Sequence, residues 1–269
     1  MNEQNVALIT GASGGIGESF ARALAAKGRD LVIVARSEEK LRQLASELRS
    51  AHGVRIEVIP SDLSTREAAE SLAAQLKQRN LPIDLLVNNA GFGARGEFWK
   101  LSLDRQSEMV RLNVFALVEL TYLLLPGMIE RNRGGVINVS STASFQPLPY
   151  TTTYAATKAF VTSFSMGLAE ELKPYGVRVV TLCPGGTRTN FFEAGHYGVR
   201  NIPGGMQSPD AVVQAALAAF GHGGGLVIPR VINKLSVFVQ RFIPRETVAR
   251  FGAKIFRPPR TSGSGGDPY

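Results

Sequence analysis

The chain has 269 residues, 44% hydrophobic and 19% charged, which is enough apolar material for one large core and excludes a disordered chain. Its single cysteine, Cys183, rules out an internal disulfide, fits a reducing compartment and reads as a small buried hydrophobe. The net charge of +8 raises a nucleic-acid partner, but from Gly223 onward there are eight Lys/Arg against two acids, leaving the body nearly neutral and without a basic patch interleaved with stacking aromatics.

The start, "MNEQNVALITG", is short and acidic and runs into an apolar strand pattern, so no signal peptide is expected. Apolar runs at 6–10, 31–35, 55–59, 84–87, 135–139, 177–183 and 226–228 read as strands. Helical patterns lie near 15–28, 37–51, 65–79, 104–131, 153–173 and 208–220. Strands apolar on both sides and joined by helices predict an α/β fold: a doubly wound, parallel, seven-stranded sheet of Rossmann type, with ligands at the carboxyl ends of the strands. The expected division is a catalytic domain over 1–230, a basic amphipathic extension over 231–260 and a disordered tail over 261–269. Residues 185–209 read as a loop. The apolar run 114–129, interrupted by Glu119 and Pro126, reads as too short to span a bilayer.

"TGASGGIG", Thr10 to Gly17, follows the first strand and opens the first helix. Gly11 allows the tight turn, Gly15 and Gly17 allow close backbone approach, and Ser13 and Ile16 lie on the same loop. The helix N-terminus offers free N–H groups and partial positive charge to a pyrophosphate, so the stretch predicts a dinucleotide site. Where NAD sites carry a carboxylate after the second strand, this chain has Ala35 and Arg36. A guanidinium grips a 2′-phosphate that a carboxylate would repel, which predicts NADP(H). Asp62, after the third strand, can accept from an adenine amino group or cap the following helix. "NNAG", Asn88 to Gly91, can tie strand ends together and lets backbone approach a ribose at Gly91.

"YTTTYAATKAF" places Tyr154 one helical turn before Lys158. A free tyrosine, with a pKa of about 10, is a poor acid–base group near neutrality, and a neighbouring ammonium would lower it. Tyr150, two turns from Lys158, reads as a pocket wall. The fifth strand ends "INVSS", so Ser140 or Ser141 can hydrogen-bond a substrate carbonyl at the sheet edge. Asn113 interrupts an apolar helix, either as a satisfied core amide or as part of the site. The three histidines, His52, His196 and His222, are scattered, and no metal site is expected.

"TGASGGIG", "NNAG", the Asn113 helix, "INVSS", "YAATK" and "CPGGTRT", in that order over about residues 5–230, resemble the short-chain dehydrogenase/reductase family. The resemblance implies that Tyr154 is the acid/base, that Lys158 binds the nicotinamide ribose and lowers the Tyr154 pKa, and that Ser141 rather than Ser140 polarises the carbonyl. It implies that Asn113 holds a water that relays protons to Lys158. Pro184, Gly185, Thr187 and Thr189 would border the nicotinamide and its phosphate, and Asp62, Leu63 and Asn89 the adenosine side. The family's substrate pocket would lie between 142–149 and 186–205, where Phe145, Leu148, Phe191, Phe192, Tyr197 and Met206 imply a hydrophobic carbonyl compound. A homodimer or homotetramer is implied by the same analogy.

In the extension, Val231, Leu235, Phe238 and Phe242 form one helical stripe, Pro244 breaks the run, and Val248, Phe251 and Ile255 suggest a second helix flanked by Lys/Arg. Three readings follow: helices packed on the body or a second subunit, a basic segment on an anionic membrane, or a lid over the pocket. The sequence as a whole predicts a cytoplasmic NADPH-dependent reductase of a hydrophobic ketone or aldehyde, able to touch the inner membrane face. The alternatives are a non-catalytic NADP(H)-binding sensor and a membrane-recruited lipid carbonyl reductase.

Overall fold

The structure is a computed structural model that describes residues 5–195 and 205–258. The predicted His196 and Tyr197, and the terminal segment 261–269, lie outside the described residues.

Seven parallel strands form one sheet in the order β3-β2-β1-β4-β5-β6-β7. They are β1 (Val6–Thr10), β2 (Asp30–Ala35), β3 (Ile56–Pro60), β4 (Ile83–Asn88), β5 (Gly134–Val139), β6 (Val177–Leu182) and β7 (Gly225–Val227), all within a residue of the sequence expectation. The order reverses between β1 and β4, so the chain leaves the two strands in opposite directions and opens a crevice at their carboxyl ends.

Helices cover both faces because both faces of the strands are apolar. On one side α1 (Gly15–Ala25), α2 (Glu38–His52) and α8 (Pro209–Gly221) bury Phe20, Leu24, Leu41, Leu48 and Val213. On the other, α3 (Ala68–Gln78), α5 (Ala116–Glu130) and α6 (Thr152–Leu172) bury Leu72, Leu76, Leu120, Met128 and Leu172. The short α7 (Phe191–Ala194) follows the loop after β6.

A buried polar rung crosses this second layer. Asn88 Nδ2 donates to Asn138 Oδ1 at 2.9 Å and to Thr121 Oγ1 at 3.0 Å, and Asn138 Nδ2 donates to Ser165 Oγ at 2.9 Å. Asn88 and Asn138 are register partners on β4 and β5, so the rung ties two strands to α5 and α6 at one height.

Two predicted elements differ. The helix expected from 65 begins at Ala68, because Asp62 first closes a turn by accepting from Ser64 N at 3.0 Å and Ser64 Oγ at 2.6 Å. The apolar run read as short belongs to a helix running unbroken from Leu103 to Glu130, through Pro126, as α4 (Leu103–Val110), a π-helical stretch (Arg111–Phe115) and α5. By length and composition it could cross a membrane, but Ala116, Leu120 and Met128 are built into the sheet's core.

The extension forms α9 (Val231–Val239), a single 3-10 turn and α10 (Arg245–Phe256). α9 buries Asn233 and Val237 and turns Val231 (79% exposed), Leu235 (54%) and Phe238 (55%) outward, with Phe242 (75%) beside them on the 3-10 turn, so the apolar stripe is not the face that packs on the body. The reason is fit. Val237 joins Cys183, Ile228 and Phe145 in a small cluster, and Asn233 donates to Pro229 O at 3.0 Å, a snug contact that the larger rings could not make.

Candidate active site

The glycine turn is built by close approach. Gly11 sits at φ +67°, and a Cβ there would lie 2.9 Å from Ala90 Cα. A Cβ on Gly17 would lie 2.2 Å from Gly11 O, so any side chain would force α1 off the turn. Thr189 leans over Gly15, bringing the loop after β6 against the start of α1. Ser13 and Ile16 are both only partly buried on this turn.

Asn89, expected on the adenosine side, stands beside the glycine turn. Its Nδ2 donates to Thr10 O at 2.9 Å and Gly11 O at 3.3 Å, so it holds the glycine turn in shape. Thr10, which the sequence reading passed over, accepts from Asn89 N and Ala90 N at 3.0 Å each and joins β1 to β4. Leu63 is 6% exposed and belongs to the core, so only its backbone can face a ligand.

Arg36 stands at the end of β2 with its side chain 66% exposed, 3.6 Å from Glu108 and 4.0 Å from Asp62. Burial alone would raise the Asp62 carboxyl, but the Ser64 hydrogen bonds and the Arg36 charge hold it below its ordinary value. The guanidinium therefore waits on weak, exposed partners that a phosphate can displace.

At the catalytic end, Ser140 and Ser141 divide their work. Ser140 is 2% exposed and donates to Lys158 O at 2.8 Å, fastening β5 to α6. Ser141 accepts from Ala143 N at 3.1 Å, and its hydroxyl lies near enough to Tyr154 to draw the phenol's pKa down. The Phe191 ring stands 5.3 Å from that of Tyr154, giving the phenol an apolar neighbour.

Lys158 is 5% exposed, with Nζ donating to Val139 O at 2.8 Å and 5.9 Å from the Tyr154 ring centre. Burial pushes Lys158 down to about 8. Burial also pushes Tyr154 up to about 12, with the Ser141 hydrogen bond pulling partly back. Burial therefore dominates the Tyr154 phenol in the ligand-free chain, and Lys158 is not among the causes of its shift.

Asn113 lies in the π-helical stretch and is 1% exposed. Its Oδ1 accepts from Phe92 N at 3.1 Å, and its Nδ2 donates to Phe92 O and Thr157 Oγ1 at 3.0 Å each. Both amide protons are committed and one oxygen lone pair stays open, on the side where a Cβ at Gly91 would come within 2.8 Å of Oδ1 and 3.4 Å of Lys158 Nζ. Asn113 thus fastens the β4 loop to α6.

Around the loop after β6, Thr142 N donates to Pro184 O at 2.9 Å and Thr187 Oγ1 to Gly185 O at 3.0 Å. Gly185 is a close approach: a Cβ there would lie 2.5 Å from Asn233 Nδ2, so α9 rests on this loop. Gln207, which no sequence signal marks, bridges to Thr187 and keeps both amide atoms buried and unpaired. Of the predicted apolar wall, Phe191, Phe192 and Leu148 stay near the catalytic end, Met206 is partly exposed, and Phe145 packs against the α9 cluster instead. Among the described residues no group of three His, Cys, Asp or Glu could hold a metal.

The short chain dehydrogenase family model matches residues 5–196. The very-long-chain 3-oxoacyl-CoA reductase of Anas platyrhynchos is 38% identical over 183 residues, an alignment spanning 66% of this chain and 58% of that protein. A short-chain dehydrogenase from Sphingobium yanoikuyae in complex with NADPH superposes with a TM-score of 0.80 at 31% identity, over 90% of this chain and 97% of that one. The bulky-bulky ketone specific alcohol dehydrogenase from Comamonas testosteroni does so with 0.75 at 32%, over 88% and 93%. With the family model matching residues 5–196 and these solved structures superposing over most of their length, the chain belongs to the short chain dehydrogenase family.

Proposed function

We propose that the protein is an NADPH-dependent reductase of hydrophobic ketones, with the 3-oxoacyl thioesters named in its relatives as the first class to test. The observation that carries this reading is Tyr154 and Lys158 on one helix, with the ammonium 5.9 Å from the phenol ring, the Phe191 ring 5.3 Å from that ring, and Ser141 near enough to pull the phenol's pKa down. The glycine turn and Arg36 fit an NADP(H) diphosphate and 2′-phosphate, and the structural relative crystallised with NADPH supports that choice. When bound, the dihydronicotinamide supplies the hydride. Ser141 donates to the carbonyl oxygen, Tyr154 gives its proton to the forming alkoxide, and Lys158 stands in reserve to return one. The exposed Phe115, Tyr122 and Phe160 support self-association.

A panel of 3-oxoacyl thioesters and 2-alkanones of rising length, with ring ketones and each cofactor in turn, tests the reading. Turnover is expected to rise with apolar bulk and to favour NADPH over NADH by about tenfold or more, the scale of one lost charge-assisted contact. NADPH binding without carbonyl turnover would instead support the non-catalytic sensor, and equal use of NADH would remove Arg36 from the argument.

The extension supports a second reading, about where the enzyme works. Its outward stripe of Val231, Leu235, Phe238 and Phe242 is flanked by the exposed Lys234, Arg241, Arg245, Arg250 and Lys254. Apolar rings edged by cations complement an anionic lipid surface better than a neutral protein face. The full chain should sediment with phosphatidylserine vesicles and not with neutral ones, and the double variant Phe238→Ser/Phe242→Ser should stay in solution. A variant that keeps its vesicle binding, or that changes only in oligomeric state, would assign the stripe to a subunit contact and overturn this reading.

A further inference from the structure

The outer face of the extension is only half of it. Its inner face closes against the two loops that flank the catalytic tyrosine. Arg95, on the loop after β4, donates Nε to Phe256 O at 2.8 Å and Nη2 to Arg257 O at 2.6 Å, a forked grip on the last turn of α10. Arg257 in turn donates Nε to the Tyr150 hydroxyl at 3.0 Å, on the loop between Ser141 and α6. That second loop is tied back to the first, because Gly96 N donates to Tyr150 O at 2.9 Å. The three segments form a closed circuit: β4 loop, end of α10, β5 loop.

Two further details mark the circuit as built. Tyr150 adopts φ +65°, a left-handed conformation unfavourable for a tyrosine, and hydrogen bonds to both its carbonyl and its hydroxyl hold it there. Gly252 is buried, and a Cβ at this position would lie 3.2 Å from Leu148 and 3.5 Å from Pro149. The helix thus lies nearly in backbone contact with the loop. At its end, Phe256 packs into the cluster of Ala143, Leu148 and Ala155, on which Tyr154 also packs.

From this geometry we propose that α10 is the far wall of the substrate pocket, that Phe256 limits the size of the substrate, and that Arg95 is a positioning residue that holds the wall closed. The inference rests on the hydrophobic-ketone reading above and deepens it. A ring packed into the cluster that also supports the proton donor takes space from a bulky substituent on the carbonyl carbon. Removing the ring opens that space without touching the hydroxyls that do the chemistry. Arg95 reaches the helix end through its backbone carbonyls, so weakening it loosens the wall without changing the wall's side chains.

The test uses the full chain with NADPH and a size-graded ketone series. Phe256→Ala is expected to shift the ratio of kcat/KM for bulky over small ketones upward by about tenfold or more, the discrimination carried by one or a few methylenes in an apolar pocket. The shift should fall in KM for the bulky compounds, with NADPH affinity unchanged. Arg95→Gln should move the ratio the same way by less and raise hydrogen exchange across 245–256, while Arg95→Lys, which keeps a donor, should recover part of the effect. If Phe256→Ala lowers all substrates in proportion, or leaves the ratio fixed, α10 is only a prop and the proposal fails. If no ketone is reduced by any form, the parent reading fails, and exchange across 245–256 still decides the latch: the same protection in wild type and Arg95→Gln would overturn it.

Discussion

Tyr154→Phe is expected to lower kcat/KM for ketone reduction by about a thousandfold, within the range a positioned general acid contributes, while NADPH binds as before. The substitution removes one oxygen and little else. The ring keeps its contact with Phe191 at 5.3 Å, and α6 keeps its buried residues. Ser141 loses its phenol partner but retains its bond from Ala143 N at 3.1 Å, so the carbonyl-binding hydroxyl stays in place. Because burial pushes Tyr154 up to about 12, the phenol is protonated throughout the neutral range, the state that reduction requires. Steady-state kinetics beside a cofactor-binding titration separates the outcomes. Unchanged turnover would remove Tyr154 from the chemistry, and a parallel loss of NADPH affinity would make the effect structural.

The second large effect is a trade. Lys158→Met is expected to abolish turnover and to stabilise the ligand-free protein at pH 7. Burial lowers Lys158 from 10.5 to about 8, so holding its charge at neutral pH opposes folding by roughly 3 kcal/mol. Methionine fills a similar volume without charge and gives up one hydrogen bond, Lys158 Nζ to Val139 O, worth about 1 kcal/mol. The difference, about 2 kcal/mol, should raise Tm by several degrees. The advantage depends on pH. Between about 8 and 10.5 the unfolded chain holds a proton at Lys158 that the folded chain does not, so the wild type gains stability as pH rises and the gap narrows. Above pH 10 Tyr154 works the other way, since the folded chain keeps a proton up to about 12 that the unfolded chain has lost. Thermal unfolding of both proteins at pH 7 and 9.5 isolates the lysine. A variant less stable than wild type at pH 7 would contradict the assignment.

The sheet was legible because its strands are short, apolar on both sides and separated by helices of clear period, and only the ends moved by a residue. The candidate acid–base pair was legible for a different reason: Tyr154 and Lys158 share a helix, so one turn of spacing brings them to one face. What the sequence did not carry was tertiary. The outward turn of Leu235 and Phe238 depends on how snugly Asn233 and Val237 fit beneath them, which periodicity cannot weigh. Asn89 and Ser140 looked like ligand contacts because their type and position suit one, yet their partners, Gly11 O and Lys158 O, come from distant parts of the chain. The π-helical turn at Asn113 has no local signal, and neither does the grip of Arg95 on a helix end about 160 residues away.

The buried rung of Asn88, Asn138, Thr121 and Ser165 bears on how this scaffold can change. It works as a key in a lock: were β5 to slip by one residue along β4, Asn138 would leave its partners, and buried amides and hydroxyls would be stranded at once. Ser141 follows three residues after Asn138, just past the end of β5, and Tyr154 rides on the helix that carries Ser165. The key therefore sets the relative height of the Ser141 and Tyr154 hydroxyls, from inside the core and away from any ligand. The loops and the strap above it can be rebuilt for new substrates while the spacing of the chemistry stays the same.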